Sequence, residues 1–262
     1  MEIIQRKLTI WTALAGASVL ESIRRKDLYV AMIIALLMII SSVTIGSFGV
    51  EGIEVFLKDV ALTVINWVSM LIAILFAARQ MPEEISRRTV YPLLARPISR
   101  GDLLFGKWLG AFTLSAVALT MFSAIGIGAL VFYKIAVGAI FWQYFFLRLL
   151  SLAVLCAMTL LLSLLMTPGA TITIACLLAI GSSTFSNFVL MVDGAVANAV
   201  RGILRGAYFL LPHLDLFDLS KKVSYGWKPV EGWVLRDLFL YAVLYVAVFL
   251  FLGTLRFRRQ AV

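Results

Sequence analysis

Arg79–Gly110, RQMPEEISRRTVYPLLARPISRGDLLFGKWLG, is a charged island between two long apolar runs, Ala61–Ala78 before it and Trp108–Phe132 after it. The island sets Arg79, Arg87, Arg88, Arg96, Arg100 and Lys107 against Glu83, Glu84 and Asp102. A charge at the centre of a bilayer costs about 2.5–3.5 kcal/mol on insertion scales, so this stretch reads as a loop in water between two spans. Its cationic excess assigns it to the cytoplasmic side. Pro82 followed by Glu83 and Glu84 reads as the start of a short helix. Proline tolerates the first turn, and carboxylates favour a helix N-terminus. Glu83–Arg87 and Glu84–Arg88 are then i,i+4 pairs. Pro92 and Pro97 break that helix and hold Tyr91 and Arg96 extended. Ser99 caps the next helix, with Asp102 at the third position as in a capping box.

Outward from the island, the chain has the composition of a membrane protein. It has 262 residues, 62% hydrophobic and 14% charged, where soluble domains average about 45–50% apolar and 25% charged. The formal charge of +9 clusters beside apolar runs, which suits anionic lipid and topology rather than nucleic acid. Cys156 and Cys176 both lie inside apolar runs and read as packing residues, not as metal ligands or a disulfide framework.

Six spans follow from hydropathy. In residues 1–27, Ile4, Leu8, Trp11, Ala15, Val19 and Ile23 recur at helical spacing, which suits an amphipathic helix in the membrane interface. A signal peptide is the rival, with Lys7, the apolar Leu8–Leu20 and Ala13-x-Ala15. Arg24-Arg25-Lys26 directly before another long apolar run argues against it. Leu28–Phe48 is the first span, Val50–Asp59 an outer loop and Val60–Ala78 the second span. The third is Trp108–Tyr133, with an outer turn over Lys134–Trp142. Tyr144–Met166 returns, with Arg148 snorkelling to the headgroups and Phe141, Trp142, Tyr144, Phe145 and Phe146 as an aromatic belt. Thr167-Pro168-Gly169 turns tightly into Ala170–Val192. Residues 193–236 form an outer segment with an amphipathic helix along Val196, Val200, Ile203, Ala207 and Leu211, ended by Pro212. Asp237–Leu255 is the last span, stopped by Arg256, Arg258 and Arg259. With the N-terminal cations, the island and the tail inside, the short outer loops hold only Lys58 and Lys134. Both termini are then cytoplasmic.

The pattern Glu84-x-x-x-Arg88-Thr89, then Leu93-Leu94-Ala95-Arg96-Pro97-Ile98-Ser99-Arg100, then Gly106-Lys107 resembles a loop of ABC-2 type permeases, the membrane subunits of ATP-binding cassette exporters. It is similar in flavour to the branch labelled multicopper-enzyme maturation permeases. The motif covers about thirty residues, and the six-span layout extends the likeness to the whole chain as a single ABC-2 type transmembrane domain. The chain departs from the family at Arg88, where glycine is common. In that family the loop contacts the ATPase. The resemblance therefore implies that residues 79–107 are a coupling loop, carried by Glu83, Glu84, Arg87, Arg88, Thr89, Arg96, Pro97, Arg100, Gly106 and Lys107. It implies two copies of a separate ATPase subunit, which would bind ATP and Mg, and a second permease subunit, identical or paralogous. This chain would then bind no cofactor and catalyse nothing, embedded among lipids of a bacterial inner membrane.

Other constellations are weaker. Gly101-x-x-x-x-Gly106-Lys107 begins like a P-loop, but Trp108 stands where a Ser or Thr must hold Mg²⁺. His213, Asp215 and Asp218 match no metal-ligand spacing and read as a surface loop or helix end. Asn66, Ser69, Ser182, Ser183, Ser186 and Asn187 can line a substrate path or pack helices. Gly106-x-x-x-Gly110 and Gly202-x-x-x-Gly206 suit close helix approach. HExxH and GxSxG are absent from the sequence. The expectation is an all-α, six-span permease half of an exporter. The alternatives are a non-transporting assembly scaffold and an ion-coupled carrier.

Overall fold

The computed structural model describes residues 2–23, 33, 36, 53–86, 99–192 and 212–259, with side chains over 9–20, 33, 36, 54–86, 99–182 and 212–258. Among them every regular element is helical: α1 (Glu2–Ile23), α2 (Ile53–Ser86), α3 (Arg100–Phe132), α4 (Ile140–Ser163), α5 (Pro168–Val192), a 3₁₀ turn (Leu214–Phe217), α6 (Ser220–Ser224) and α7 (Gly232–Arg259). Four helices are long and apolar enough to cross a membrane: Glu54–Ser86, Arg100–Phe132, Ile140–Ser163 and Gly232–Arg258. The chain is thus an all-α, multi-pass membrane protein in its composition and helix lengths. α5 is helical across the expected fifth span. The expected first span lies outside the described residues except for Ile33 and Leu36, both helical. The amphipathic stripe from Val196 to Leu211 also lies outside them.

Pairings fix the directions of the helices. Glu84 of α2 meets Lys107 of α3, while Ala61 and Ile65 approach Gly126, so α2 and α3 are antiparallel. Asn66 meets Tyr144 and Met81 packs in one cluster with Leu160, so α4 runs parallel to α2. α7 also runs parallel to α4. The side chain of Gln143 donates to Val230 O and accepts from Val230 N just before α7, and Phe257 shares the cluster of Leu160 and Leu164. The main core lies between α2, α3 and α4, around residues such as Leu62, Ile65, Ile72, Leu119, Phe122, Leu147 and Leu155.

Two expected boundaries around α2 move. Pro82 does not open a new helix; it sits inside α2, which runs on to Ser86. A proline removes one intrahelical hydrogen bond, and here it does so within the last turns, where the helix is about to end. The supposed outer loop before Asp59 is likewise helix from Ile53, with Glu54 and Lys58 forming an i,i+4 pair at 2.6 Å. At 34 and 33 residues, α2 and α3 reach about 50 Å, well past a hydrocarbon core of about 30 Å. Much of the charged island is therefore the continuation of two long helices.

The start of α3 falls where the residues indicate. Ser99 caps α3, its side chain accepting from Asp102 N and donating to Asp102 Oδ2 at 2.6 Å. The expected turn at Thr167-Pro168-Gly169 instead comes earlier, over Leu164–Thr167, because Pro168, which needs no N–H donor, is already the first residue of α5.

Candidate functional site

The first two turns of α3 are a hub. Lys107 is 4% exposed and makes an ion pair with Glu84 of α2. Lys107 lies two turns into α3 and Glu84 in the last turn of α2, so the pair is held between two helices rather than displayed on a loop. A buried charge persists only when paired, and each supplies the other's partner. On another side, Arg100 donates to Phe257 O at 2.8 Å and Arg258 O at 3.2 Å, with its guanidinium 5.5 Å from the Phe257 ring centroid. It thereby satisfies carbonyls at the C-terminal end of α7 that have no intrahelical donor. On a third side, Trp11 Nε1 donates to Asp102 Oδ1 at 3.0 Å.

α1 follows that contact down α3. A Cβ on Gly106 would stand 2.8 Å from Leu14 Cβ, and one on Gly110 2.8 Å from Ser18 Cβ. Both series ascend together, so α1 and α3 are parallel at near backbone contact, which only glycine permits. The stripe through Trp11, Ala15 and Val19 is thus turned at least partly onto α3, with Leu14, Ala15 and Ser18 buried.

A second polar node lies at the other end of the bundle and centres on Asn66. Its Oδ1 accepts from Tyr144 Oη at 2.8 Å and its Nδ2 donates to Ser220 Oγ at 2.6 Å. Its carbonyl accepts from Ser69 Oγ at 3.1 Å and from Arg148. Ser220 in turn donates to Asp218 through both its amide, at 2.8 Å, and its hydroxyl. Arg148 therefore does not snorkel. It folds inward, where its guanidinium donates to the Asn66 carbonyl and Asp218 lies within electrostatic reach. Its Nε is sealed from solvent with no hydrogen-bond partner among the described residues.

The expected site residues divide accordingly. Glu84, Arg100, Gly106 and Lys107 converge at the α3 hub, and Glu83 lies one residue from it on the last turn of α2. Arg87, Arg88, Thr89, Arg96 and Pro97 fall outside the described residues. Asn66 and Ser69 take part in the second node, and Ser69 is fully buried. Ser182 Oγ donates to Ala179 O of its own helix at 3.4 Å. Ser183, Ser186 and Asn187 lie on α5, their side chains outside the described set. His213 precedes the 3₁₀ turn and Asp215 lies within it, and the His213 amide donates to Tyr241 Oη at 2.9 Å. Among the described residues no cluster of metal-ligating side chains forms.

Sequence reasoning missed that Tyr144 and Arg148 belong with Asn66. The available signal was their i,i+4 spacing: a charged residue inside a span, one turn from a hydroxyl, on the same face. No curated protein matches the chain. Residues 28–262 match the family described as Protein of unknown function (DUF2705), and the chain belongs to that family.

Proposed function

We propose that this chain is the permease subunit of an ATP-binding cassette exporter, moved by separate ATPase subunits. The observation that carries the reading is the α3 hub. Arg100, Gly106 and Lys107, three residues of the ABC-2-like pattern, each tie α3 to a different helix. A force applied to the 87–98 connection would reach α1, α2, α3 and α7 together, as rigid-body coupling requires. The sequence between residues 87 and 98 carries Arg87, Arg88 and Arg96, cations that would attract an acidic protein partner.

The remaining features of the reading follow from charge. Arg100 against Phe257 and Arg258 puts the island and the C-terminal cations at one end of the bundle, and α1 begins there too. That end is cytoplasmic under the positive-inside rule. With Leu28–Phe48 and α5 the spans number six, both termini are inside, and the N-terminal turns of α1 lie at the interface of a bacterial inner membrane. Two such permeases, identical or paralogous, pair with two ATPase subunits that hold ATP and Mg.

The test is recovery of tagged chain from its native membrane in mild detergent. A P-loop ATPase co-purifies, and Arg87→Glu with Arg88→Glu lowers its recovery about tenfold. A chain that purifies without any ATPase under all mild conditions, or hydrolyses ATP by itself, overturns the reading in favour of a scaffold or an enzyme.

A further inference from the structure

A cavity of about 430 Å³ opens at the end of the bundle opposite the α3 hub. Its walls are the start of α2, the end of α3, the turn 136–139, the start of α4 and the turn 226–229 that follows α6. The turn that closes it depends on Gly226, whose φ is +63°. There the Trp227 amide reaches back to Lys222 O at 2.9 Å and the Gly226 amide to Val223 O at 3.2 Å, a left-handed helix stop that glycine adopts without strain.

The lining changes character with depth. Ala61, Leu62, Ile65, Gly126, Leu130 and Phe141 form an apolar floor, while Glu54, Lys58 and Lys228 stand around the mouth. From Lys58 to Ile65 is seven residues of helix, about 10 Å along α2. Glu54 and Lys58 neutralise each other at 2.6 Å. Lys228 is exposed with no ion-pair partner among the described residues, which leaves the mouth one cation in excess. A pocket with an apolar interior and a few polar groups that fix one end of the ligand is the usual form of a small-molecule site. The volume sits at the low end of the range of about 300–1,000 Å³ for such sites, room for one chain rather than two.

We infer that this cavity binds a single-chain anionic amphiphile, a fatty-acid carboxylate, with its chain on the Ala61–Ile65 and Gly126–Leu130 floor and its head group against Lys228. The site does not depend on the transport reading: it requires only the cavity and the charge at its mouth.

Photolabelling of the purified full-length chain in detergent micelles tests it, using a fatty acid with a diazirine at the chain end and peptide mapping by mass spectrometry. Label concentrates in peptides holding residues 61–65 and 126–130, and unlabelled fatty acid competes it away. Ala61→Phe, which fills the floor, and Lys228→Glu, which reverses the mouth charge on an exposed residue that the fold does not need, each weaken labelling about tenfold. Lys228→Arg retains it. Labelling spread over the exposed apolar residues of α7 without competition overturns the inference, as does labelling unchanged in Lys228→Glu. Competition by phosphatidylglycerol but not by free fatty acid also overturns it, because the occupant is then a two-chain lipid.

Discussion

Lys107 shows how far a single residue's meaning depends on its neighbours. In sequence it is the last cation of a hydrophilic island. In the fold it is 4% exposed and stays charged through its pair with Glu84, its ion-pair partner among the described residues. Removing Glu84 leaves Lys107 buried with no ion-pair partner among the described residues, so Glu84→Leu lowers stability by about 3–5 kcal/mol. Removing both with Glu84→Leu/Lys107→Met restores most of the loss, because two matched apolar side chains leave no charge unpaired. Thermal unfolding in detergent, followed by circular dichroism, checks both variants; equal destabilisation of single and double variants would mean that the pair is not the cause. Arg148 carries the same lesson with the opposite sign of error. A cation near a span end normally reaches for water, but Tyr144, Asn66 and Ser220 build a polar pocket beside it, and the inward route wins.

At the scale of the element, α1 and α3 meet where side chains are missing. Gly106 and Gly110 let Leu14 and Ser18 approach to distances at which an added Cβ would lie at 2.8 Å. Gly106→Ala forces the helices apart or Leu14 out of place, a cost of about 1–3 kcal/mol. Leu14→Ala in the same chain relieves the clash, so the double variant is more stable than the sum of the two singles. A double-mutant cycle on unfolding reads this directly; additive effects would show that α1 and α3 do not touch there. The aromatic belt also resolves only at this scale. Trp142 and Phe146 point outward at 65% and 40% exposure, whereas Phe141 and Tyr144, on the other face of α4, are buried at 2% and 0%. Composition marks an aromatic cluster; helical phase decides which rings are exposed and which fill the core.

For the whole molecule, the α3 hub and the fatty-acid cavity define two ends of one bundle, and the proposed orientation assigns them to opposite sides of the membrane. In a cysteine-free background, Trp227→Cys, at a position 60% exposed, reacts with a membrane-impermeant maleimide on intact cells or spheroplasts. Arg258→Cys, exposed at the hub end, reacts only after the membrane is opened. The reverse pattern would turn the bundle over and remove the cytoplasmic placement on which ATPase coupling depends.

Taken alone, the amino-acid order determined that the chain is helical and membrane-spanning, where α3 is capped by Ser99, and that Gly106 and Gly110 mark a close approach. Each of these is a local property: hydrocarbon penalises charge residue by residue, and caps and small residues act within one or two turns. Tertiary structure alone decided that residues 79–86 of the island are an extension of α2, that Lys107 and Glu84 are a buried pair, that Arg148 turns inward, and that a cavity opens under Gly226. Those outcomes depend on partners tens of residues away, and long-range pairing of a charge or a void is set by which helices pack together, which no window of sequence contains.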